Sequence, residues 1–138
     1  MNYRGSFAFT LAWLILTGLP GLGQVSAQHR GCDRNAKTQM EMDACAKNEV
    51  ALRKKQMDQV YGKLLSRAAS QPGAVAKIRA SEKAWIAYVD SYITAKYPAS
   101  DKRWYGTLYP MEVDLTRSGL IQQHVADLAG LLWQYSPK

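Results

Sequence analysis

Apolar side chains recur every three or four residues along much of this chain, as one buried face of a helix requires. The first such stripe lies within residues 39–69, and it consists of Met42, Cys45, Val50, Met57, Tyr61, Leu64, Leu65 and Ala68. Thr38 and Glu41 form the T-x-x-E pattern of a capping box, which predicts where this helix begins. The Pro-Gly pair at 72–73 predicts where it ends.

Two further helices are predicted by the same spacing. The second runs from about Ala74 to Tyr97, and the third from about Pro110 to Gln134, since proline suits a first helical turn. No segment of the sequence alternates between apolar and polar residues over the length of a strand. The pattern therefore predicts an all-α fold, a small antiparallel bundle of three main helices. The stripes of the second and third helices consist of Val75, Ile78, Glu82, Trp85, Ile86, Val89 and Ile93, and of Val113, Arg117, Leu120, Ile121, His124, Leu128, Leu131 and Leu132.

Residues 1–27 have the features of a secretory signal peptide. They have a basic start at Arg4, an apolar run over residues 7–19 and small residues at a cleavage site that ends at Ala27. The run is too short for a transmembrane helix, and no later stretch is apolar enough to span a bilayer. We therefore expect residues 28–138 to form a single helical domain that is periplasmic or secreted.

The two cysteines, Cys32 and Cys45, both follow the predicted cleavage site. An even number of cysteines in an exported chain predicts one disulfide. The alternative is a lipid anchor on Cys32, but His29 and Arg30 stand where a lipobox needs apolar or small residues. The disulfide would tether the N-terminal arm, residues 28–37, to the first helix.

The charge of the chain limits the kinds of partner it could bind. It carries 18 Lys and Arg against 11 Asp and Glu, a net charge of +7. Export argues against nucleic acid, so anionic envelope polymers or lipid head groups are the available counter-charges for the basic cluster at 53–55. Such a cluster is more often a solvated helix face.

The acidic and histidine side chains form no catalytic or metal-binding motif, so no enzyme activity, metal or cofactor is expected. His124 lies alone on an apolar stripe, where a histidine is usually packed with a satisfied nitrogen. Glu82 also lies on an apolar stripe, and a partly buried carboxylate can act as an acid. We favour a structural ion pair between Glu82 and Arg117, for which Asp90 is a second candidate partner.

The aromatic residues of the second helix are predicted to be core residues. Trp85, Tyr88 and Tyr92 follow helical spacing, and the two tyrosines widen the apolar face of the helix. Packing against the neighbouring helices is therefore the expected role of all three side chains.

A different group of aromatic residues lies in the loop before the third helix, next to basic residues: Lys102, Arg103, Trp104 and Tyr105. Since Trp, Tyr and Arg dominate binding hot spots, residues 101–106 are a candidate partner-binding loop. The alternative is a loop folded over the core with Trp104 buried. Both alternatives are consistent with the sequence.

Four short motifs follow one another along the chain. They are TQMEMDAC at 38–45, QVYGKLL at 59–65, AWIAYVD at 84–90 and LTR at 115–117. Their order, together with a preceding cysteine, resembles the LprI-like lysozyme inhibitor family of small exported domains. The resemblance covers about residues 32–128, and the motif residues to which it gives a structural role are Thr38, Glu41, Trp85, Tyr88, Asp90 and Arg117.

The chain also departs from the family pattern. The family commonly has a second disulfide, whose two positions are occupied here by Ile93 and Met111. Two apolar replacements are expected if these positions still face each other, and such a contact would recover part of the lost stability. The arginine of the family's W-x-x-Y-R-D motif is Val89 here, and the usual Gly-Gly loop is absent.

The resemblance implies a binding protein that inhibits lysozyme or a related envelope hydrolase by steric occlusion. Lysozymes are commonly cationic, so the positive charge of this chain opposes their association at long range. Glu41, Asp43 and Glu49 could form a local acidic patch that offsets this repulsion. The alternative function is an interaction module for anionic envelope polymers or lipid head groups. An enzyme using Glu82 or Asp90 is the least favoured of the three.

Overall fold

The computed structural model describes Cys32 and residues 36–136, and the predicted signal peptide lies outside these residues. Three long helices account for most of the described chain: α1, Gln39–Ala68; α2, Ala74–Lys96; and α3, Tyr109–Gln134. A short 3₁₀ helix, Lys102–Tyr105, lies between α2 and α3. The described residues contain no strand. The predicted all-α fold is confirmed, and the helix bounds agree with the predicted ones to within about one residue.

Local interactions at the ends of the helices explain why the bounds were predictable. The Thr38 side chain accepts a hydrogen bond from the Glu41 backbone N–H at 3.2 Å. Glu41 Oε2 in turn accepts from the backbone N–H groups of Thr38 at 3.0 Å and Lys37 at 2.7 Å. Gly73 precedes α2 with φ of 74°, a left-handed conformation that glycine adopts without steric cost. Pro110 lies in the first turn of α3, where its missing N–H has no helical partner to lose.

The most extensive helix contact is between α1 and α3. Their first halves share a cluster that contains Ala46, Met111 and Leu115. Their second halves share a larger cluster, whose buried members are Met57, Leu64, Ala68, Ile121 and Leu128, together with Ala74 and Ile78 of α2. Ser118, which lies between the members of the two clusters along α3, is 1% exposed.

Helix α2 contacts the other two helices less extensively than they contact each other. Its polar pairs with α3 are Glu82–His124 at 2.8 Å, Asp90–Arg117 at 3.1 Å and Lys96–Thr116 at 2.8 Å. Residue numbers rise along α2 as they fall along α3. This order is compatible with the predicted antiparallel bundle.

The predicted disulfide joins Cys32 to Cys45, with 5.7 Å between the two Cα atoms. Cys32 is 1% exposed and belongs to the cluster that contains Ala46, Met111 and Leu115. The bridge therefore holds Cys32 against the beginning of α3 as well as against α1.

Several packing predictions for α2 are wrong, including the place of Ile86 on its buried stripe, because Ile86 is 52% exposed. Tyr88 is 52% and Tyr92 41% exposed, although core positions were expected for both. The apolar pattern of α2 is wider than the surface that the other two helices cover, so part of it faces solvent. Ile93 packs with Val89 and Tyr97, whereas Met111 packs in the cluster of the disulfide, so the predicted Ile93–Met111 contact is absent.

Helix α3 buries two stripes where the sequence predicted one. Val113 and Leu120 pack against the α2 cluster of Val89, Ile93 and Tyr97. Met111 and Leu115 pack against α1 and were missed by the predicted stripe. The reason is that α3 contacts both of the other helices, so its buried arc is wider than a single stripe.

Candidate functional site

The loop between α2 and α3 is built on three tyrosines. Tyr97 meets Tyr105 and Tyr109 edge to face, with ring centroids 5.3 and 5.2 Å apart. Tyr105 and Tyr109 stack with 5.3 Å between their centroids. The Tyr105 hydroxyl also accepts a hydrogen bond from the Ala99 backbone N–H at 2.7 Å. Aromatic pairs in these geometries are favourable, so the cluster forms a fixed base for the loop.

Lys102 belongs to this base. Its ammonium donates hydrogen bonds to the carbonyl oxygens of Tyr97 and Ala99, each at 2.8 Å. The same nitrogen lies 5.8 Å from the ring centroids of Tyr105 and Tyr109, within the range of a cation–π interaction. The positive charge of Lys102 therefore interacts with carbonyl oxygens and aromatic rings inside the loop.

Asp101 and Arg103 brace the 3₁₀ helix. The Asp101 carboxylate accepts from the Arg103 backbone N–H at 3.0 Å, which caps the helix. It also accepts from Arg103 Nη2 at 2.8 Å and from Arg103 Nε at 3.0 and 3.1 Å, a bidentate pair. The guanidinium of Arg103, followed by its backbone N–H, lowers the pKa of Asp101. The same carboxylate raises the pKa of Arg103.

Trp104 is the exposed tip of the loop. A 3₁₀ helix has three residues per turn, so Lys102 and Tyr105 lie on one side while Trp104 points elsewhere. Its side chain is 83% exposed, so the alternative of a buried Trp104 is wrong. Gly106, with φ of 73°, turns the chain away behind it. Of the four predicted loop residues, Lys102 and Tyr105 thus form the base of the loop, Arg103 braces it and Trp104 is its exposed tip.

The candidate structural residues of the family motif lie elsewhere. Trp85 stacks on His124, with centroids 3.9 Å apart and 6° between the ring planes. Arg117 pairs with Asp90, the second of the two partners predicted for it, and this ion pair is more exposed than the stacked rings. Tyr88 lies near Tyr92 on the exposed side of α2, with 5.9 Å between their ring centroids. The resemblance alone assigns Tyr88 a structural role, and its exposure leaves it free for other contacts.

Glu82 pairs with His124, not with Arg117 as predicted. His124 Nε2 and Glu82 Oε2 are 2.8 Å apart, and both side chains are buried. The expectation that His124 is a packed histidine with a satisfied nitrogen is confirmed. Both residues had been placed on the apolar stripes of α2 and α3, and this shared property was the signal that they could pair.

Each of the three acidic residues that were predicted to form a local patch has a hydrogen-bonding or ion-pair partner within or next to α1. Glu41 is occupied in the capping box, whose backbone donors lower its pKa. Asp43 accepts from Gln39 Nε2 at 2.8 Å, and Glu49 lies 3.7 Å from Arg53. The Glu49–Arg53 pair also removes Arg53 from the predicted basic cluster at 53–55.

The part of the chain that the structure describes contains no group of three or more His, Cys, Asp or Glu side chains placed to hold a metal ion.

Within residues 36–136, none of the helices combines the length and the apolar character needed to cross a membrane.

Comparison with known proteins gives one family. The family model described as Lysozyme inhibitor LprI matches residues 32–128. No curated protein and no solved structure matches the chain. The matched range contains the disulfide, the helical bundle as far as Leu128 and the complete Trp104 loop.

Proposed function

The chain belongs to the LprI lysozyme inhibitor family, and on this basis we propose that it is a secreted or periplasmic protein that inhibits a lysozyme, or a related envelope hydrolase, by steric occlusion. LprI is an inhibitor family and not an enzyme family, and its members are of an extracellular or periplasmic type. The Cys32–Cys45 disulfide supports an oxidising compartment.

Trp104 is the observation that supports a binding surface at residues 101–106. A large aromatic side chain that is 83% exposed gains much buried apolar area when a partner covers it. Its loop is held by the tyrosine cluster, by Lys102 and by the Asp101–Arg103 pair. Because the loop is already ordered, little conformational entropy is lost when it binds.

The charge of the loop tip also suits a cationic target. Arg103 is exposed, but its guanidinium is bidentate with Asp101 at 2.8 Å, so the pair is close to neutral. Lys102 is directed to backbone carbonyls in the base of the loop. The tip therefore presents an apolar ring with little net charge, which would limit local repulsion from a lysozyme even though the whole chain is basic.

Substitution of Trp104 tests this proposal. We expect the oxidised protein to inhibit at least one member of a lysozyme panel, and Trp104→Ala to weaken that inhibition by about 2 kcal/mol or more, roughly thirtyfold in Kd. The readout is the rate of cell-wall lysis against inhibitor concentration, together with titration calorimetry. The melting temperature should change little, because the replaced side chain is mostly in solvent.

Trp133 supplies a matched control. It is 80% exposed but lies near the end of α3 and outside the loop. Trp133→Ala should leave inhibition unchanged. Equal losses in the two variants, or a large fall in melting temperature for Trp104→Ala, would contradict the assignment of the binding surface to residues 101–106. Absence of inhibition across the whole panel would contradict the proposed activity itself.

A further inference from the structure

A groove of about 290 Å³ lies between the three helices. Its apolar walls come from all of them: Val50, Met57, Trp85, Ile86, Val89 and Ile121. Ligand pockets in proteins typically occupy about 300–1,000 Å³, so this groove has room for one small apolar group. Ile86 is 52% exposed, so the apolar surface of the groove is open to solvent.

Three charged side chains complete the lining, one from each helix: Lys54, Asp90 and Arg117. Arg117 Nη1 donates to Asp90 Oδ1 at 3.1 Å, and these two charges largely compensate each other. Burial raises the pKa of the neighbouring Asp114 carboxyl, and the positive charges of Lys47 and Arg117 oppose this rise. Lys54 is exposed and forms no ion pair with any described residue. The groove therefore combines an apolar floor with one uncompensated positive charge.

We propose that this groove binds a single-chain anionic amphiphile, with its hydrocarbon chain against the apolar walls and its carboxylate beside Lys54. The apolar walls favour a chain over a polar solute such as a sugar. The charge of Lys54 favours an anionic head over a cationic one. The volume admits one short chain and excludes a two-chain lipid. None of the loop residues 101–106 lines the groove, so this binding is independent of the proposed inhibition.

Calorimetric titration of the oxidised protein with decanoate, below its micelle concentration, tests the proposal. Decanol and decyltrimethylammonium have the same chain length with a neutral and a cationic head. We expect saturable one-to-one binding in the order decanoate, decanol, decyltrimethylammonium. Tryptophan fluorescence should change on binding, because Trp85 lines the groove.

Matched variants locate the site. Lys54→Gln should weaken decanoate binding by about threefold to fivefold, as loss of one exposed ion pair does, and Lys55→Gln should have no effect. Asp90→Asn should have the opposite sign and tighten binding, because it removes the only acidic side chain of the lining. Ile86→Asp should abolish binding, whereas Leu52→Asp, at a similarly exposed position on α1, should not.

Several results would overturn the proposal. One is binding of decyltrimethylammonium as tight as that of decanoate, and another is equal binding of decanoate by the Lys54→Gln and Lys55→Gln variants. Binding to phosphatidylglycerol vesicles without binding to monomeric decanoate would assign the charge to membrane attraction and not to the groove. Circular dichroism of each variant identifies any loss that comes from unfolding. Inhibition of lysozyme by Ile86→Asp should remain unchanged, which separates this site from the Trp104 loop.

Discussion

At the scale of single residues, the pair of Glu82 and His124 shows how polar groups are placed in the interior. The two side chains are buried, lie 2.8 Å apart and carry the stacked ring of Trp85 on one side. A largely buried carboxylate needs a hydrogen-bonding partner, because little water reaches it. The pair therefore fixes the position of α2 along the axis of α3. A well-packed apolar pair at the same two positions could be equally stable.

Substitution of one partner should be costly. His124→Ala leaves the carboxylate of Glu82 buried without its partner and removes the ring that stacks on Trp85. We expect a loss of about 3–5 kcal/mol in the free energy of unfolding, measured by denaturant titration. The double variant Glu82→Leu with His124→Leu should recover most of this loss, because no buried polar group is then left without a partner.

The exposed pair of Asp90 and Arg117 is the control for this prediction. Its side chains are 65% and 35% exposed, so water competes with the interaction. Asp90→Ala should cost no more than about 1 kcal/mol. If His124→Ala costs as little as Asp90→Ala, the Glu82–His124 pair does not have the energetic role assigned to it.

The sequence placed Glu82, Arg117 and His124 on apolar stripes and predicted that Glu82 pairs with Arg117, whereas the structure pairs Glu82 with His124. Arg117 and His124 are seven residues apart, so they lie on the same side of α3 about 10 Å from each other along its axis. Which of them meets Glu82 depends on how far α2 is shifted along α3. The loop between the helices sets this shift, and helical spacing carries no information about it.

At the scale of the elements, the 3₁₀ helix decides what the loop displays. The sequence identified residues 101–106 but left Trp104 either exposed or buried. Whether Trp104 is exposed depends on Asp101, which caps the 3₁₀ helix. With three residues per turn, this helix directs Tyr105 inward and Trp104 outward. The pairing of Asp101 with Arg103 was not predicted from the sequence.

The Asp101–Arg103 brace should be visible in the titration of Asp101. Its pKa is lowered by Arg103 in the folded protein, so the brace stabilises the loop at neutral pH and is lost as the pH falls through this lowered pKa. Carbon NMR of the Asp101 carboxyl should give a pKa below the usual value of about 3.9. In Arg103→Ala the pKa should rise part of the way back, because the backbone N–H at position 103 still donates.

Lys102→Ala is the comparison for this titration. Lys102 also holds the loop, but it donates to carbonyl oxygens and not to Asp101. The pKa of Asp101 should therefore stay low in that variant. An unchanged Asp101 pKa in Arg103→Ala would show that the guanidinium is not the main cause of the shift.

The wrong predictions for α2 and α3 have one physical source. A periodic pattern shows that a helix has an apolar side, but not how much of that side a neighbour covers. On α2 the neighbours cover Val89 and Ile93 and leave Tyr88 and Tyr92 in solvent. On α3 two neighbours cover two stripes, so Met111 is buried although it lies outside the predicted one.

At the scale of the whole molecule, the disulfide joins three parts of the chain. Cys32 is bonded to Cys45 of α1, and both contact the cluster that contains Met111 and Leu115 of α3. The cross-link therefore stabilises the end of the bundle where α1 and α3 begin. The sequence could predict the bond and the tether to α1, but not the contact with α3, which depends on how the helices pack.

Removal of the disulfide should destabilise the protein without abolishing its helices. For Cys32→Ala with Cys45→Ala we expect a loss of about 2–4 kcal/mol in the free energy of unfolding, measured by denaturant titration. Hydrogen exchange should accelerate more at Ala46 than at Leu64, because Leu64 lies in the separate cluster of the second halves. Uniform acceleration along α1 would contradict this local role.

The contact between α1 and α3 also determines when the chain can fold. Met57 and Ile121 share a cluster although a whole helix separates them in sequence, so the most extensive contact of the molecule joins its first and last helices. A growing chain cannot form this contact until α3 has been synthesised, and contacts between distant residues form slowly. We therefore expect the complete core to form only after α3 has been synthesised, and not while the chain is still growing. The disulfide between Cys32 and Cys45 needs an oxidising compartment, and under the proposed export this bond and the core would both form there.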